Sequence, residues 1–366
     1  MIALIPPLVV SLISLYPVRR YAVRLGLVAN PGGHSTHQHA TPLGGGIGIW
    51  LGIMIPMLLG TVVVLLAQSV PVLSDWLPER VRIHFDGVES RLASLWQLLA
   101  AASILFVLGI WDDRSGAPIV MRLVIEFLVA AFVVYWLGFG LTAFIGAKWL
   151  TDLLSVLWIV AVINSFNMLD NMDGLSGGVA AIIAASMAAV MLTTPAGAGS
   201  QPQLFVAGLL LAVCGALCGF LWHNRPPARI FMGDGGSYLI GFLIAVSMLM
   251  ATFASAPRPH AVLAPLCVMA IPIYDMSTVL WIRVREGRSI FLGDRSHFSH
   301  RLVSLGLSRT QAVLTIHLVT ATCGLAAVLL VHVTVLQAII VLAIVGCMLL
   351  LVVILESTGW QKQDDA

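Results

Sequence analysis

Residues 335–355 read VLQAIIVLAIVGCMLLLVVIL, an apolar segment without a single charged side chain. A helix needs about 20 apolar residues to cross the hydrocarbon core of a bilayer, and this segment has that length. The whole chain has the same character, because 59% of its 366 residues are hydrophobic and only 10% are charged. Soluble domains carry about 25% charged residues. The sequence therefore predicts a protein whose solvent is mostly lipid.

Apolar segments of this kind recur along the chain. The eleven segments are 1–18, 44–68, 94–111, 119–138, 149–166, 175–193, 204–222, 236–254, 261–282, 310–331 and 335–355. They predict an all-α polytopic membrane protein with about 11 transmembrane helices, forming a single domain over residues 1–366. Arg19, Arg20 and Arg24 follow the first apolar segment, whereas a secretory signal has its basic residues in front. We therefore expect residues 1–18 to be retained as the first helix.

The distribution of Lys and Arg predicts the orientation, since cytosolic loops are enriched in basic residues. With the N-terminus outside and the C-terminus in the cytosol, all but five of the 19 Lys and Arg residues lie on the cytosolic side. The exceptions are Arg80, Arg82, Arg91, Lys148 and Arg258. The net charge of +2 is too small to predict a nucleic-acid partner.

Several acidic residues lie at predicted cytosolic helix ends or loops, whereas Asp75, Glu79, Asp86 and Glu89 share a predicted outside loop. Asp112 and Asp113 are adjacent, and two neighbouring carboxylates repel each other unless a cation or a set of hydrogen-bond donors holds them. A divalent metal or a basic side chain would meet that need. The alternative is a solvated helix end without chemistry, and the pair alone leaves both interpretations open.

A second cluster follows the fifth apolar segment. Asn164, Asn167, Asp170 and Asp173 recur every three residues, a spacing that places them along one face of a helix or its end. Four such side chains are costly between apolar helices in lipid. They could cap helices, but two aspartates and two asparagines exceed what capping needs. We therefore interpret this stripe as a binding site for a polar ligand.

A third cluster precedes the eighth apolar segment. Asp234 lies among glycines in Phe231-Met-Gly-Asp-Gly-Gly-Ser237, where it could act as an N-cap. The same arrangement of exposed amides and a carboxylate could hold a metal-bound diphosphate. Asn224 and Phe231 could add an amide and an aromatic face for a nucleobase.

Two loops carry histidines. Residues 293–302 contain His297, His300 and Arg301, which favour phosphate oxygens over zinc because no cysteine accompanies them. The loop with His34, His37 and His39 is compatible with a solvated segment or with a site. All these clusters fall on the predicted cytosolic side. Together they suit Mg²⁺ and phosphate oxygens.

Taken together, these motifs resemble the polyprenyl-phosphate N-acetylhexosamine-1-phosphate transferases, from His37 to about Leu302. The motifs that carry the resemblance are His37-Gln38 with Pro42-Leu43 and Gly45-Gly46, the pair Asp112-Asp113, Asn164-x-x-Asn167-x-x-Asp170-x-x-Asp173-Gly174, and Phe231-Met-Gly-Asp234-x-Gly-Ser237. The last loop, with His297, His300, Arg301 and Leu302, is similar to the GlcNAc-1-phosphate branch. Ser299 and Asn171 depart from the pattern, where His and Gly are usual.

The resemblance implies transfer of a phospho-N-acetylhexosamine, GlcNAc-1-phosphate foremost, from a UDP-sugar to undecaprenyl or another polyprenyl phosphate at the cytosolic face of the plasma membrane. UMP would leave, and the product would begin cell-envelope glycan synthesis. The acceptor phosphate would attack directly with Asp113 orienting or deprotonating it, or Asp113 would form a covalent intermediate. The alternatives are a transporter, whose acids usually lie near the bilayer midplane, and an inactive scaffold.

The resemblance also assigns roles to residues. Its catalytic candidates are Asp112, Asp113, Asp170 and Asp173. Asp234 and Asp173 would bind Mg²⁺, with Mn²⁺ as a substitute. Substrate contacts would come from His37, Arg122, Asn164, Asn167, Asn224, Phe231, His297, His300 and Arg301. Besides the UDP-sugar, the polyprenyl phosphate and the membrane, a second copy of the chain in a homodimer is an expected partner, because dimers are common in that family.

Overall fold

The computed structural model describes residues 3–29, 41–70, 79–83, 85–141, 146–193, 203–251, 258–291 and 296–364. The helices of the first half are α1 (Ile5–Tyr21), α2 (Gly45–Ser69), α3 (Glu79–Arg82), α4 (Phe85–Ser115), α5 (Ile119–Ala131, continued by a π-helical turn over Phe132–Trp136) and α6 (Lys148–Leu169). The helices of the second half are α7 (Leu175–Thr193), α8 (Leu204–Asn224), α9 (Gly233–Met250), α10 (Ala264–Val268, after a 3₁₀ turn over Pro259–Leu263), α11 (Ala270–Arg285), α12 (Phe298–Ser304), α13 (Arg309–Leu330) and α14 (Val335–Asp364).

An all-α membrane protein is confirmed, and each of the eleven predicted segments coincides with a helix or a pair of helices. Within the described residues, nine helices are long and apolar enough to cross a membrane, or ten if the bent pair over Pro259–Arg285 counts as one span. The first helix has 17 residues and is shorter than each of these spans. The count of eleven spans and the orientation remain predictions.

Two predicted boundaries differ from the structure. The predicted span 261–282 is not straight, because α10 and α11 meet at an angle of 62°. Pro272, at the third position of α11, has no amide hydrogen to bond the preceding turn, which explains why the helix breaks there. The chain between the predicted segments 44–68 and 94–111 is also partly helical, since it contains α3 and the first turns of α4.

Helix α9 is at the centre of the bundle and α14 is at its edge. In the most apolar part of α9, 89% of the residues are buried, against 11% in α14. The side chains that α14 exposes are apolar, among them Leu336, Ile339 and Leu351. Such a surface is stable in lipid but not in water, which agrees with the predicted membrane location.

The first turn of α9 contacts α2 and α4 through main-chain atoms. A Cβ atom on Gly46 of α2 would lie 2.4 Å from the amide nitrogen of Gly236. A Cβ atom on Gly109 of α4 would lie 2.4 Å from the carbonyl carbon of Asp234. Only glycine permits this approach, so these positions bring three helix ends together. Asp113, one turn after Gly109, is thereby placed beside α9.

A short two-stranded ribbon lies next to this junction, between the predicted segments 1–18 and 44–68. Strand β1 (Val28–Ala29) pairs antiparallel with β2 (Thr41–Pro42). The Phe231 amide donates to the Pro42 carbonyl over 2.9 Å, and the Gly45 amide donates to the Phe231 carbonyl over 2.8 Å. The ribbon therefore attaches the chain on either side of residues 30–40 to the segment that carries Phe231. His37 itself lies outside the described residues.

Candidate active site

A pocket of about 680 Å³ opens where α4, α6, α9 and the chain before α12 meet. It brings together eleven of the residues that the sequence singled out, although they lie far apart in the chain. These are Asp113, Arg122, Asn164, Asn167, Asp170, Asp173, Asn224, Phe231, Asp234, His297 and His300. Asp112 and Arg301 do not line it, and His37 lies outside the described residues.

Asp113 holds the N-terminus of α9. One of its carboxylate oxygens accepts from the Asp234 amide over 2.9 Å, and the other accepts from the Gly235 amide over 3.2 Å. Gly233 precedes these amides with a φ of 73°, a conformation that favours glycine. The capping role that the sequence suggested for Asp234 therefore falls to Asp113 instead. Two orphan amides at a helix N-terminus are suitable donors for a carboxylate.

Asp112 points away from the pocket, because neighbouring residues on a helix project about 100° apart. Its carboxylate accepts from the Ala117 amide over 2.7 Å, from the Tyr238 hydroxyl over 3.0 Å and from the guanidinium of Arg122. Arg122 is thus the basic group that relieves repulsion between the paired aspartates, as the sequence required. The geometry gives Asp112 the task of orienting Arg122, which does line the pocket.

The two asparagines of α6 have both amide hydrogens engaged by the protein. The Asn164 nitrogen donates to Glu126 over 2.5 Å and to the Val160 carbonyl over 2.9 Å. The Asn167 nitrogen donates to Asp234 over 2.6 Å and to the Ser237 hydroxyl over 3.2 Å. Since each NH₂ group has two hydrogens, only the carbonyl oxygens remain to serve a ligand. Both asparagines therefore add acceptor oxygens to a pocket already rich in carboxylates.

Asp170 and Asp173 lie in the turn between α6 and α7. Asp173 accepts from the Ala228 amide over 2.9 Å, which links this turn to the segment before α9. Burial raises the pKa of the Asp170 carboxyl to about 7, and the nearby charges of Asp113 and Asp173 add to the rise, whereas a hydrogen bond from the Gly233 amide opposes it. A carboxylate in this state gains most from a bound cation.

Asn224 and Phe231 approach the pocket from α8 and the chain after it. The Asn224 oxygen accepts from the Gly174 amide over 2.8 Å, and its nitrogen donates to the Ile230 carbonyl over 2.8 Å. Asn224 thus connects two loops through its side chain. Because both polar ends of the amide are engaged by the protein, its predicted role as a nucleoside contact is weakened. Phe231 is half-buried at the pocket wall, so its ring remains suited to stack on a base.

The predicted loop with His297, His300 and Arg301 contributes residues both to the pocket and to the protein interior. His297 lines the pocket, and its Nδ1 lies 2.9 Å from the carboxylate of Asp275 in α11. Arg301 is buried away from the pocket, where it forms an ion pair of 3.2 Å with Glu356 and donates to Thr278 over 3.1 Å. The geometry therefore does not support Arg301 as a direct phosphate ligand.

Ser299 and Asn171, the two departures from the family pattern, contact each other. The Ser299 hydroxyl donates to the Asn171 carbonyl oxygen over 2.5 Å, and the Asn171 nitrogen donates to the Met168 carbonyl over 2.9 Å. The pair joins the turn that carries Asp170 to the helix that follows His297. Neither departure removes a carboxylate from the pocket.

Sequence reasoning missed three buried carboxylates behind the pocket. Glu126, Asp275 and Glu356 are 1%, 0% and 8% exposed, and they bond Asn164, His297 and Arg301 respectively. Each lies within or just after an apolar segment and belongs to none of the acidic motifs, so no local pattern drew attention to it. The available signal was the cost of an ionisable group inside a membrane helix, which by itself marks a residue for attention.

The pocket offers oxygen ligands rather than a closed metal cage. Among the described residues, no three His, Cys, Asp or Glu side chains converge as a metal-binding group. Mg²⁺ does not need one, because it usually keeps several waters and takes one or two carboxylates together with substrate phosphates. The carboxylates and the amide oxygens of Asn164 and Asn167 fit that requirement.

Comparison with known proteins identifies the family. The profile of glycosyl transferase family 4 matches residues 95–252, which include α4 to α9. A Bacillus subtilis protein named probable undecaprenyl-phosphate N-acetylglucosaminyl 1-phosphate transferase is 27% identical over 98% of this chain and 92% of its own length. The Mycobacterium tuberculosis decaprenyl-phosphate N-acetylglucosaminephosphotransferase is 30% identical over 82% of this chain and 75% of its own.

A third relative agrees with these two. The Yersinia pestis undecaprenyl-phosphate alpha-N-acetylglucosaminyl 1-phosphate transferase is 29% identical over 85% of this chain and 79% of its own length. Each of these matches extends over more than four fifths of this chain. Together with the motifs and the pocket that unites them, they show that the chain belongs to glycosyl transferase family 4.

Proposed function

We propose that the protein transfers N-acetylglucosamine 1-phosphate from UDP-GlcNAc to a polyprenyl phosphate and releases UMP. The observation that carries this proposal is the convergence of Asp113, Asp170, Asp173 and Asp234 with two histidines on one pocket. The names of relatives that are 27–30% identical over most of the chain support the same reaction. A transporter is not favoured, because the acids gather at one end of the helices.

Mg²⁺ is the proposed cofactor, and the residues that would hold it are Asp234, Asp173 and Asp170. Bound there, it would neutralise the negative charge of the diphosphate. The pocket residues then have the task of orientation. Arg122 and the two histidines supply hydrogen-bond donors for phosphate oxygens, and Phe231 supplies a face for the base.

The hydrogen bonds of Asp113 favour direct attack by the acceptor phosphate over a covalent intermediate on Asp113. Both of its oxygens already accept amide hydrogens of α9, which stabilises the carboxylate as it stands and makes its attack on phosphorus less favourable. A phosphate monoester has a second pKa near 6, so much of the acceptor is a dianion at neutral pH. In this mechanism an acceptor oxygen bonds the β-phosphorus, and the bond from that phosphorus to UMP breaks.

The proposed setting is the plasma membrane, with the pocket on the cytosolic side, the N-terminus outside and eleven spans. This orientation rests on the distribution of Lys and Arg. The lipid acceptor would enter from the bilayer and the nucleotide from the cytosol. A homodimer belongs to the proposal only through the resemblance to the family.

The test is transfer of radiolabelled phospho-GlcNAc from UDP-GlcNAc to undecaprenyl phosphate by the purified protein in detergent. We expect lipid-linked product with Mg²⁺, none with EDTA, and a loss of about 10³-fold in Asp234→Asn. Asp152→Asn is the matched control, because it removes a buried carboxylate at the far end of α6. Absence of product with UDP-GlcNAc and with a panel of other UDP-sugars would refute the proposed reaction.

A further inference from the structure

Asp275 is a fully buried carboxylate whose two oxygens have different partners. Its Oδ1 accepts from the Phe298 amide over 2.6 Å, and its Oδ2 lies 2.9 Å from Nδ1 of His297. Its exposed fraction is 0%, and that of His297 is 5%. Tyr274 covers the neighbouring Phe298 ring edge to face at 5.6 Å. This enclosure leaves the carboxylate little freedom to choose other partners.

The two contacts determine which nitrogen of His297 carries the proton. The Phe298 amide can only donate, so Oδ1 is fixed as an acceptor. An ionised carboxylate accepts at its second oxygen as well, so Nδ1 must be the donor. The opposite nitrogen, Nε2, is then the one that can reach the pocket that His297 lines.

We propose that Asp275 is a positioning residue that keeps a proton on Nδ1 of His297 and thereby presents Nε2 to the substrate in the pocket. The role of the substrate in this inference rests on the proposed function. Asp275 touches no substrate in this scheme, since it does not line the pocket. It acts only through His297.

Replacing Asp275 by asparagine should invert the polarity of His297 without removing the packing. The Phe298 amide still requires an oxygen, which directs the asparagine nitrogen towards Nδ1 of His297. That nitrogen is a donor, so Nδ1 must become an acceptor and the ring proton must move to Nε2. The cap on α12 is retained, and we expect the variant to fold. Asp275→Ala would remove both contacts and is therefore a poorer test.

The activity test is a double-mutant cycle on the full-length protein. We expect Asp275→Asn to lower kcat/KM about 10- to 100-fold and His297→Ala to lower it at least as much. In the His297→Ala background, Asp275→Asn should change kcat/KM less than twofold, because Asp275 acts through the missing ring. Asp152→Asn, a buried carboxylate remote from the pocket, should remain within twofold of the wild type. Effects of the two substitutions that multiply would overturn the proposal, as would a fully active Asp275→Asn.

A second measurement does not depend on turnover. The ¹⁵N spectrum of histidine-labelled protein, compared with that of His297→Gln, identifies the ring nitrogens of His297. We expect a protonated Nδ1 in the wild type and an unprotonated Nδ1 in Asp275→Asn. An unprotonated Nδ1 in the wild type would disprove the role of Asp275. A wild-type protein that shows this Nδ1 signature but transfers no sugar would count against the proposed reaction alone.

Discussion

The carboxylates at the two ends of α6 have opposite electrostatic surroundings. At the first end, Asp152 is buried and both of its oxygens accept from Lys148 over 2.9 Å. Beside it lies an apolar cavity of about 510 Å³ with Leu154, Trp158 and Leu266 in its wall. At the other end, Asp170 shares a pocket with Asp113, Asp173 and Asp234, and the charges of Asp113 and Asp173 help to raise its pKa.

This difference distinguishes a carboxylate with a structural role, Asp152, from carboxylates that need a bound ligand. One carboxylate with one ammonium group is balanced, and its removal leaves little unsatisfied. Four carboxylates lining one pocket, with Arg122 already bonded to Asp112, carry an excess of negative charge. Four negative charges this close together are costly unless a cation binds among them. Their presence in one pocket of a membrane protein therefore indicates a functional site.

Among the substitutions that test this comparison, the largest effect is expected from moving Asp113 relative to α9. In Gly233→Ala, the new Cβ atom would lie 2.5 Å from Oδ2 of Asp113, at a φ of 73°. The carboxylate and the helix end must then separate, and we expect transfer activity to fall about 100-fold, since displacements of about 1 Å in a site can cost that much. The measurement is kcat/KM in the lipid-transfer assay.

Gly138→Ala is the matched control, because Gly138 has a φ of 72° and a Cβ atom added there would have no atom of the described residues within 4 Å. Both substitutions carry the same backbone strain, about 1–2 kcal/mol. Only the first meets Asp113. Equal losses of activity in the two variants would mean that strain, and not the position of Asp113, is responsible.

The next effect concerns pH. With a pKa of about 7, Asp170 is mostly protonated at pH 6 and mostly ionised at pH 8. Protons and Mg²⁺ therefore compete, and the Mg²⁺ concentration for half-maximal activity should rise as pH falls, by up to about tenfold between pH 8 and pH 6. Titrations at both values test this. Asp170→Asn should flatten the dependence, and an unchanged slope in that variant would assign the titration to another group.

The smallest effect is expected at the opposite end of α6. Asp152→Asn keeps an acceptor for Lys148, whose side chain is 83% exposed, so little is lost. Ion pairs of this spacing on helices contribute about 0.3–0.5 kcal/mol. Activity should stay within twofold of the wild type, and the melting temperature should change by about 1–2 °C. A loss of transfer comparable to that of Gly233→Ala would show that the two ends do not differ as described.

The sequence predicted the helices well because apolar length and turn residues are local properties. The grouping of the acidic motifs was predictable too, since the alternation of spans brings every second loop to one side. The opposite directions of Asp112 and Asp113 were not predicted, although they follow from helix geometry once α4 is known to continue through both residues. The bend before α11 was missed because Pro272 lies inside a segment that is long and apolar enough to be taken as one continuous span.

Contacts between distant parts of the chain explain the partners that the sequence did not predict. Arg301 was assigned to phosphate because its partner Glu356 comes much later, at the end of an apolar segment without other charged residues. Asn224 was assigned to a nucleoside because its bonds to Gly174 and Ile230 depend on how two loops meet. No property of the neighbouring sequence reveals either pairing. Both became visible only when the helices were packed together.

The glycine contacts at the start of α9 bear on how the site can change through evolution. At Gly46, Gly109 and Gly236 the helices contact one another through main-chain atoms, and an added side chain would clash. The walls of the pocket itself include side chains such as Met276 and Phe291, which substitution can reshape. We therefore expect new sugar preferences to arise at these side chains. The glycine contacts should tolerate few substitutions, because they hold Asp113 beside α9.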